Sequence, residues 1–382
     1  MVFLVLIFLP ALMAGAGIGQ IDPLVENKKL APFPHLSLKK SDMETFPEEL
    51  TAYFNDRFPF RGSLIRLDSL VKLNIFHIDI FPGVVVGRDG WLFLRGFDKF
   101  PAITNEGLPG WEKKLSQRQN WTQTHSMHYL FVSIPTKPII YPEEAPGWAG
   151  VDDPRGREDS SLITLSRQSG ATVLDLEPAL YRSKSEGRLY HKTDTHWNNA
   201  GSYIGYREIM NVLHRWFPRL KAHAPEDFET RINPAPGMDL ARMIGLQKDF
   251  REDRIELSPK FKPRARVTIF TRPSDGIYAA QDETLIVTEV DDPALPTAVV
   301  FRDSYFRGLL PFMAEHFRRM VCVWSYSFDP TLLEREKPDV VITEMSGSLP
   351  DDPDSLAGDQ TKDYFQDRKP GPLPIDILRG RT

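Results

Sequence analysis

Beyond residue 80 the chain alternates short apolar runs with stretches of helical periodicity. Runs at 128–134, 172–176, 298–301, 321–324 and 339–343 have strand length and little polar interruption. Helices are predicted around 111–124, 160–168, 307–317 and 332–336. A further helix starts at Asn198 or Asn199 and carries Tyr206, Ile209, Met210, Leu213 and Phe217 on one stripe. Strands apolar on both faces and separated by helices predict a mainly parallel sheet covered on both sides. Over 225–296 the alternation breaks, and 265–270 and 284–290 read as antiparallel strands inserted into the α/β domain.

The region before residue 81 has a different pattern. Residues 1–19 are apolar and uncharged, about the length of a membrane span. They read as an uncleaved signal anchor, with a cleaved signal or a buried helix as alternatives. The two signal readings place the rest of the chain outside the cytoplasm. Residues 20–80 read as a Pro-rich linker followed by a helical segment, with Leu64, Leu67, Leu70, Val71 and Ile75 at helical spacing. Asp89-Gly90 between two apolar runs predicts a hairpin. The main domain is expected over 81–349, and the Asp-, Pro- and Gly-rich tail 350–382 is expected to pack poorly.

Composition narrows the function classes. The formal charge of -5 over 382 residues lacks the basic excess of a nucleic-acid binder. The one cysteine, Cys322, lies in an apolar run and reads as a buried small hydrophobe. It excludes a disulfide framework within the chain.

Candidate chemistry concentrates in two segments. In His191-Lys-Thr-Asp-Thr-His-Trp197, Asp194 and His196 stand two apart. An extended backbone would send both side chains to one side, where the carboxylate fixes the imidazole tautomer. Ser304 follows the run 298–301 and precedes a helix. Ligands of open α/β sheets bind at such strand ends, and the helix N-terminus offers N–H groups to an oxyanion. Each segment also has a plainer reading: a capped loop histidine, and Asp303-Ser304 as a helix cap. His191, Asp194 and His196 suggest a metal cluster, but zinc needs a further ligand that no second cluster supplies. No metal or other cofactor is therefore expected. Trp91, Trp197 and Trp324 can stack on sugars or lie in the core, and Trp324 reads as core because it ends an apolar run.

Several motifs, in this order, carry a resemblance: Tyr53-Phe-Asn-Asp-Arg-Phe58, Gly87-Arg-Asp-Gly-Trp-Leu-Phe93, Pro135-Thr-Lys-Pro-Ile-Ile-Tyr-Pro-Glu143, Thr193-Asp-Thr-His-Trp-Asn198, Gly237-Met-Asp-Leu-Ala-Arg-Met243 and Arg302-Asp-Ser-Tyr305. From about Tyr53 to about Thr343 the sequence resembles the alginate O-acetyltransferase family of periplasmic polysaccharide acetylation proteins (AlgX/AlgJ-like). The resemblance implies an SGNH-hydrolase-like three-layer sandwich with its triad in permuted order: Asp194, His196 and the nucleophile Ser304. It implies O-acetyl transfer to an exported polysaccharide through an acetyl-serine, with a membrane-bound O-acyltransferase supplying the acetyl group. It also implies a periplasmic, membrane-anchored member. Arg302, Tyr141 and Lys137 are candidates for sugar contacts, against the plainer reading that the two cations are solvated surface and the tyrosine packs near the strand end. A carbohydrate acetylesterase with the same triad and a non-catalytic export scaffold are the alternatives.

Overall fold

The computed structural model describes residues 30–34, 40–96, 106–147, 161–271, 285–347, 349–356 and 369–372, with Leu9, Met13 and Phe365 besides. Apart from Leu9 and Met13, the expected anchor 1–19 lies outside the described residues, as do much of the linker and the tail beyond residue 372. Among the described residues no helix is long and apolar enough to cross a membrane.

Helices α1 (Lys40–Asp56) and α2 (Arg61–Asn74) precede three short antiparallel strands, β1 (Ile80–Phe81), β2 (Val84–Val86) and β3 (Leu92–Leu94). The β2–β3 hairpin forms as expected. Asp89 (φ 48°) and Gly90 (φ 81°) take the left-handed backbone that the turn needs and that these residues tolerate. Helix α2 departs from the expected single apolar face. Leu70 and Leu73 pack on the small core of β1–β3, whereas Leu64 and Leu67 are exposed. Its apolar positions span too wide an arc for one small core to cover.

The main domain continues through α3 (Leu108–Thr124), β4 (His128–Ile134), the single turn α4 (Lys137–Ile140), α5 (Ser161–Ser169), β5 (Thr172–Asp175), α6 (Glu177–Ser183) and α7 (Asn199–Trp216). After these come β6 (Phe228–Pro236), α8 (Asp239–Met243), β7 (Arg251–Pro259), β8 (Arg266–Thr271), β9 (Leu285–Glu289) and β10 (Thr297–Arg302). The last elements are α9 (Phe306–Met313), β11 (Arg319–Trp324), α10 (Pro330–Glu336), β12 (Val340–Ser346) and β13 (Lys369–Pro372).

Eight strands form one sheet in the order β13-β8-β9-β11-β10-β12-β4-β5. The stretch from β11 to β5 is parallel, and β9, β8 and β13 extend it antiparallel. Strand β10 explains the uninterrupted apolar runs. Ala298 and Val300 enter the core that α7 and α9 complete; Val299 and Phe301 enter the opposite core with α3 and α10. A polar side chain on either face would be buried without a partner. The expected three-layer α/β sandwich is present. Cys322 lies in its core, where burial pushes the thiol up to about 12.

The antiparallel segment 225–296 has two parts. β6 and β7 pair as a separate hairpin, while β8 and β9 join the main sheet. Antiparallel addition needs no crossover helix, so the βα alternation lapses there. The expectation of a poorly packed tail is corrected for its described parts. Trp111 Nε1 donates to Pro350 O and Lys114 Nζ to Pro353 O, each at 2.6 Å, and β13 pairs with β8. Backbone carbonyls of a Pro-rich chain are free to accept such bonds, which composition alone does not reveal.

Helices α7 and α9 meet around Trp197. A Cβ on Gly205 would lie 2.9 Å from the indole ring, and one on Gly308 would lie 2.6 Å from its Nε1. Alanine for glycine inside a helix ordinarily gains about 1 kcal/mol. Overpacking costs about 1–3 kcal/mol and prevails here. Gly308→Ala is expected to lower stability by roughly 1 kcal/mol in urea denaturation; an unchanged or raised midpoint would contradict the tight wedge.

Candidate active site

The segment before α7 folds back on itself. Tyr190 bridges Trp197 in antiparallel fashion, the His191 N–H donates to His196 O at 3.1 Å, and the Asn198 N–H donates to Leu189 O at 2.8 Å. Asn198 Oδ1 caps α7, accepting from the N–H groups of Ala200 and Gly201 at 2.9 and 3.1 Å. Residues 192–196 make the bend. Asp194 and His196 therefore do not project in parallel from extended backbone, as the spacing suggested. Asp194 Oδ1 instead accepts from both the His196 backbone N–H (3.1 Å) and its Nδ1 (2.7 Å). A carboxylate only accepts, so the proton sits on Nδ1 and Nε2 is left basic.

His196 Nε2 lies 2.8 Å from Ser304 Oγ, across 108 residues of sequence. Asp303 takes the turn-capping role: its Oδ1 accepts from the Tyr305 N–H at 2.8 Å. Its Oδ2 accepts from the Ser346 N–H, Ser346 Oγ and Tyr326 OH at 2.8, 2.6 and 2.9 Å. The helix-cap reading of Asp303-Ser304 does not hold: Tyr305 occupies the N-cap of α9 with no side-chain cap bond, Asp303 braces the turn before it, and the serine hydroxyl faces the histidine.

Tyr305, which sequence reasoning passed over, joins the two segments. Its OH donates to Thr195 O at 2.7 Å, and its carbonyl accepts from Trp197 Nε1 at 3.0 Å. Its ring centroid lies 4.9 Å from that of His196. The sequence cue was its place directly after the candidate nucleophile.

The three candidate sugar contacts are corrected. Lys137, Tyr141 and Arg302 are buried, at 2%, 6% and 1% exposure. Lys137 Nζ donates to the carbonyls of His191, Lys192 and Asp194 at 3.0, 3.1 and 2.5 Å. Burial pushes its ammonium down to about 7, against the pull of Asp194 and Glu252. Tyr141 OH accepts from the Leu189 N–H at 2.9 Å, and Arg302 Nη1 donates to Asp303 O at 3.1 Å. All three brace the histidine loop or the serine turn from behind. An alternation pattern cannot separate an exposed cation at a strand end from one turned inward.

His191 is held by Glu252, whose Oε1 lies 3.0 Å from Nδ1. Glu252 Oε2 accepts from the N–H groups of Lys192 and Thr193 at 2.5 and 3.1 Å. Burial opposes that charge, yet His191, Arg188 and the Thr193 N–H hold the carboxyl below its usual range. Glu252 sits in the charged run Arg251-Glu-Asp-Arg254 of β7, which reads as solvated surface. Nothing in the sequence singles it out.

Burial also works against the Asp194–His196 pair. The bond to His196 and the imidazolium charge overcome it and hold the Asp194 carboxyl well below the carboxylate range. Burial lowers His196 too, but Asp194 outweighs it and holds the imidazole above its ordinary value. Beside the nucleophile turn, Glu344 Oε2 accepts from the Asp303 N–H at 3.0 Å. Burial, reinforced by the Asp303 charge, pushes Glu344 well above the carboxylate range.

A family model described as an SGNH hydrolase-like domain of acetyltransferase AlgX matches residues 84–287, just over half of the 382. The chain belongs to this family. The match contains Asp194 and His196 and ends before Ser304. The probable alginate O-acetylase AlgJ of Pseudomonas aeruginosa is 25% identical over 211 residues, covering 54% of this chain and 49% of that protein. The probable alginate O-acetylase AlgJ of Pseudomonas putida is 25% identical over 203 residues, covering 52% and 51%. The chain thus spans about half the length of the curated relatives it matches. The solved structure of Bacillus cereus PatB1 has a TM-score of 0.54 at 17% identity, covering 73% of this chain and 98% of that one. That likeness shows the fold that the SGNH resemblance implied.

Two pH experiments follow from these environments. Asp194 raises His196, so in NMR titration Asp194→Asn should move the His196 midpoint to lower pH. A midpoint at or above that of the unsubstituted protein would contradict the pairing. Glu344 has a folded value above its unfolded value of about 4.3. The folded state then keeps a proton that the unfolded chain releases, so stability falls as pH rises from about 4.3 toward the folded value. Glu344→Gln removes that loss, and its melting temperature should gain on the unsubstituted protein as pH rises above about 4. Parallel curves would mean that Glu344 titrates alike in both states.

Proposed function

We propose that the protein is a polysaccharide O-acetyltransferase in which Ser304 is the nucleophile, His196 the general base and acid, and Asp194 the group that orients and stabilises His196. The observation that carries this reading is His196 lying between Asp194 Oδ1 (2.7 Å) and Ser304 Oγ (2.8 Å). The family and the names of its alginate O-acetylase relatives support an acetyl group as the transferred unit and a polysaccharide as its acceptor.

The chemistry runs in two halves. Ser304 Oγ attacks the acetyl carbonyl of the donor while His196 Nε2 takes the serine proton. The carbonyl oxygen gains negative charge, and the Ser304 N–H at the start of the turn into α9 is the proposed donor to it. Collapse expels the donor's leaving group, which takes the proton from His196, and leaves an acetyl-serine. A sugar hydroxyl then attacks that ester and gives its proton to Nε2. The second collapse frees Ser304 Oγ, which recovers the proton, and releases the O-acetyl sugar. Asp194 stays ionised throughout and stabilises the imidazolium in both halves. Water in place of the sugar would make the same site an acetylesterase.

The further parts of the proposal come from the sequence. The apolar stretch 1–19 anchors the chain at the membrane with residues 20–382 in the periplasm. Acetyl-coenzyme A is a cytoplasmic donor, and the family resemblance implies the supplier: a membrane-bound O-acyltransferase that passes acetyl groups outward to Ser304.

Ser304→Ala, His196→Ala and Asp194→Ala are expected to lower acetyl turnover by about 10³-fold or more each. A double variant should lose scarcely more than a single one, because the three act as a unit. Turnover is read with an acetyl-ester reporter, with and without an oligosaccharide acceptor. Label appearing in the sugar supports transfer. Acetate release that the acceptor never diverts indicates an esterase, and full turnover by Ser304→Ala would sink both readings in favour of a scaffold.

A further inference from the structure

Trp324 does not lie in the core, contrary to its reading from sequence. It is 46% exposed, whereas Trp91, Trp111 and Trp197 are buried. It ends β11 directly opposite Arg302, the last residue of β10, in parallel register. On the same face, Met320 and Cys322 lie in the core, and Trp324 continues that row out to the rim of the sheet.

The end of β11 and the two residues after it are tied to the serine turn in three ways, the first through the Trp324 ring. The Arg302 guanidinium lies 5.0 Å from its centroid, and Arg302 is itself buried. The Ser325 N–H donates to Arg302 O at 3.2 Å. Tyr326 OH donates to Asp303 Oδ2 at 2.9 Å, next to Ser304. Strand β10 ends at Arg302 and the chain turns at once into Ser304, so Trp324 and the serine turn share one end of two neighbouring parallel strands.

We infer that Trp324 is a stacking platform that holds a pyranose ring of the acceptor beside Ser304. This rests on the acyl-transfer reading and deepens it by locating an acceptor subsite. A pyranose has one flat, mainly C–H face and a rim of hydroxyls. An indole fixed at the edge of a polar site covers that face and leaves the hydroxyls solvated. The cation–π contact holds the ring before ligand arrives, so little side-chain freedom is lost on binding. A protein partner is a poorer occupant. Such interfaces bury about 800 Å² per side, and the other exposed large hydrophobics among the described residues lie at or before residue 80 or at Ile163, Ile232 and Met243.

The test measures binding of a defined alginate hexasaccharide by calorimetry, in a Ser304→Ala background of the full chain so that no turnover intervenes. Adding Trp324→Ala should weaken binding at least tenfold, and adding Trp324→Phe, which keeps an aromatic face, should restore most of it. Equal affinity in the parent and Trp324→Ala overturns the platform, as does a parent that binds no hexasaccharide. So does a Phe variant as weak as Ala, which would mean that the ring's face is not what is recognised. A separate arm compares reporter hydrolysis by the unsubstituted protein and Ser304→Ala. Persistence of that hydrolysis defeats the acyl-transfer reading and leaves the binding result standing on its own.

Discussion

The arrangement depends on two hydrogen bonds that run in opposite directions between the histidine loop and the serine turn. Trp197 Nε1 donates to Tyr305 O, and Tyr305 OH donates back to Thr195 O. These bonds fix the histidine loop to the serine turn independently of the reacting atoms. A catalytic hydrogen bond must break and reform in each cycle, so it is a poor fastener for its own site. The indole and phenol take over that task, and the glycines at 205 and 308 let the helices close on the indole.

Behind this joint stands a second layer of buried charge. Lys137 gathers three carbonyls of the histidine loop, and Glu252 gathers two of its N–H groups together with His191. A bend such as 192–196 exposes backbone groups that no helix or strand can pair, and burial makes each unpaired group cost about 1–3 kcal/mol. One cation and one anion resolve both polarities. The β6–β7 hairpin thereby supports the site, since it carries Glu252 into the loop.

Much of the fold was legible because periodicity reports burial. The doubly buried strands β4, β10 and β12 read as unbroken apolar runs, and α7 announced itself by its stripe and by Asn198. The proximity of Asp194, His196 and Ser304 was legible as a candidate because few residue types perform the proposed chemistry. What escaped was governed by side-chain direction and distant partners. Lys137 and Arg302 look like surface cations, Glu252 like a surface anion, and Trp324 like the end of a core strand. Lys137 and Glu252 turn inward to groups dozens of residues away, Arg302 is buried against its own turn, and the tryptophan turns outward at a rim where the row of core residues ends. Periodicity also misjudged α2, whose apolar residues fall on two faces with only one core to receive them.

The place of β10 in the sheet has a consequence for synthesis. Its neighbours are β11 and β12, both later in sequence. When Ser304 emerges from the ribosome, the strand that presents it has no partner on either side, although the histidine loop was made long before. Asp303, the anchor of the serine turn, must also wait for Tyr326 and Ser346. On the proposed mechanism, activation of the serine is thus deferred until about residue 346 has been added. A chain cut short before that point carries Asp194, His196 and Ser304 but lacks the partners that fix the serine turn, so the proposed nucleophile meets its proposed base only as the sheet closes around it.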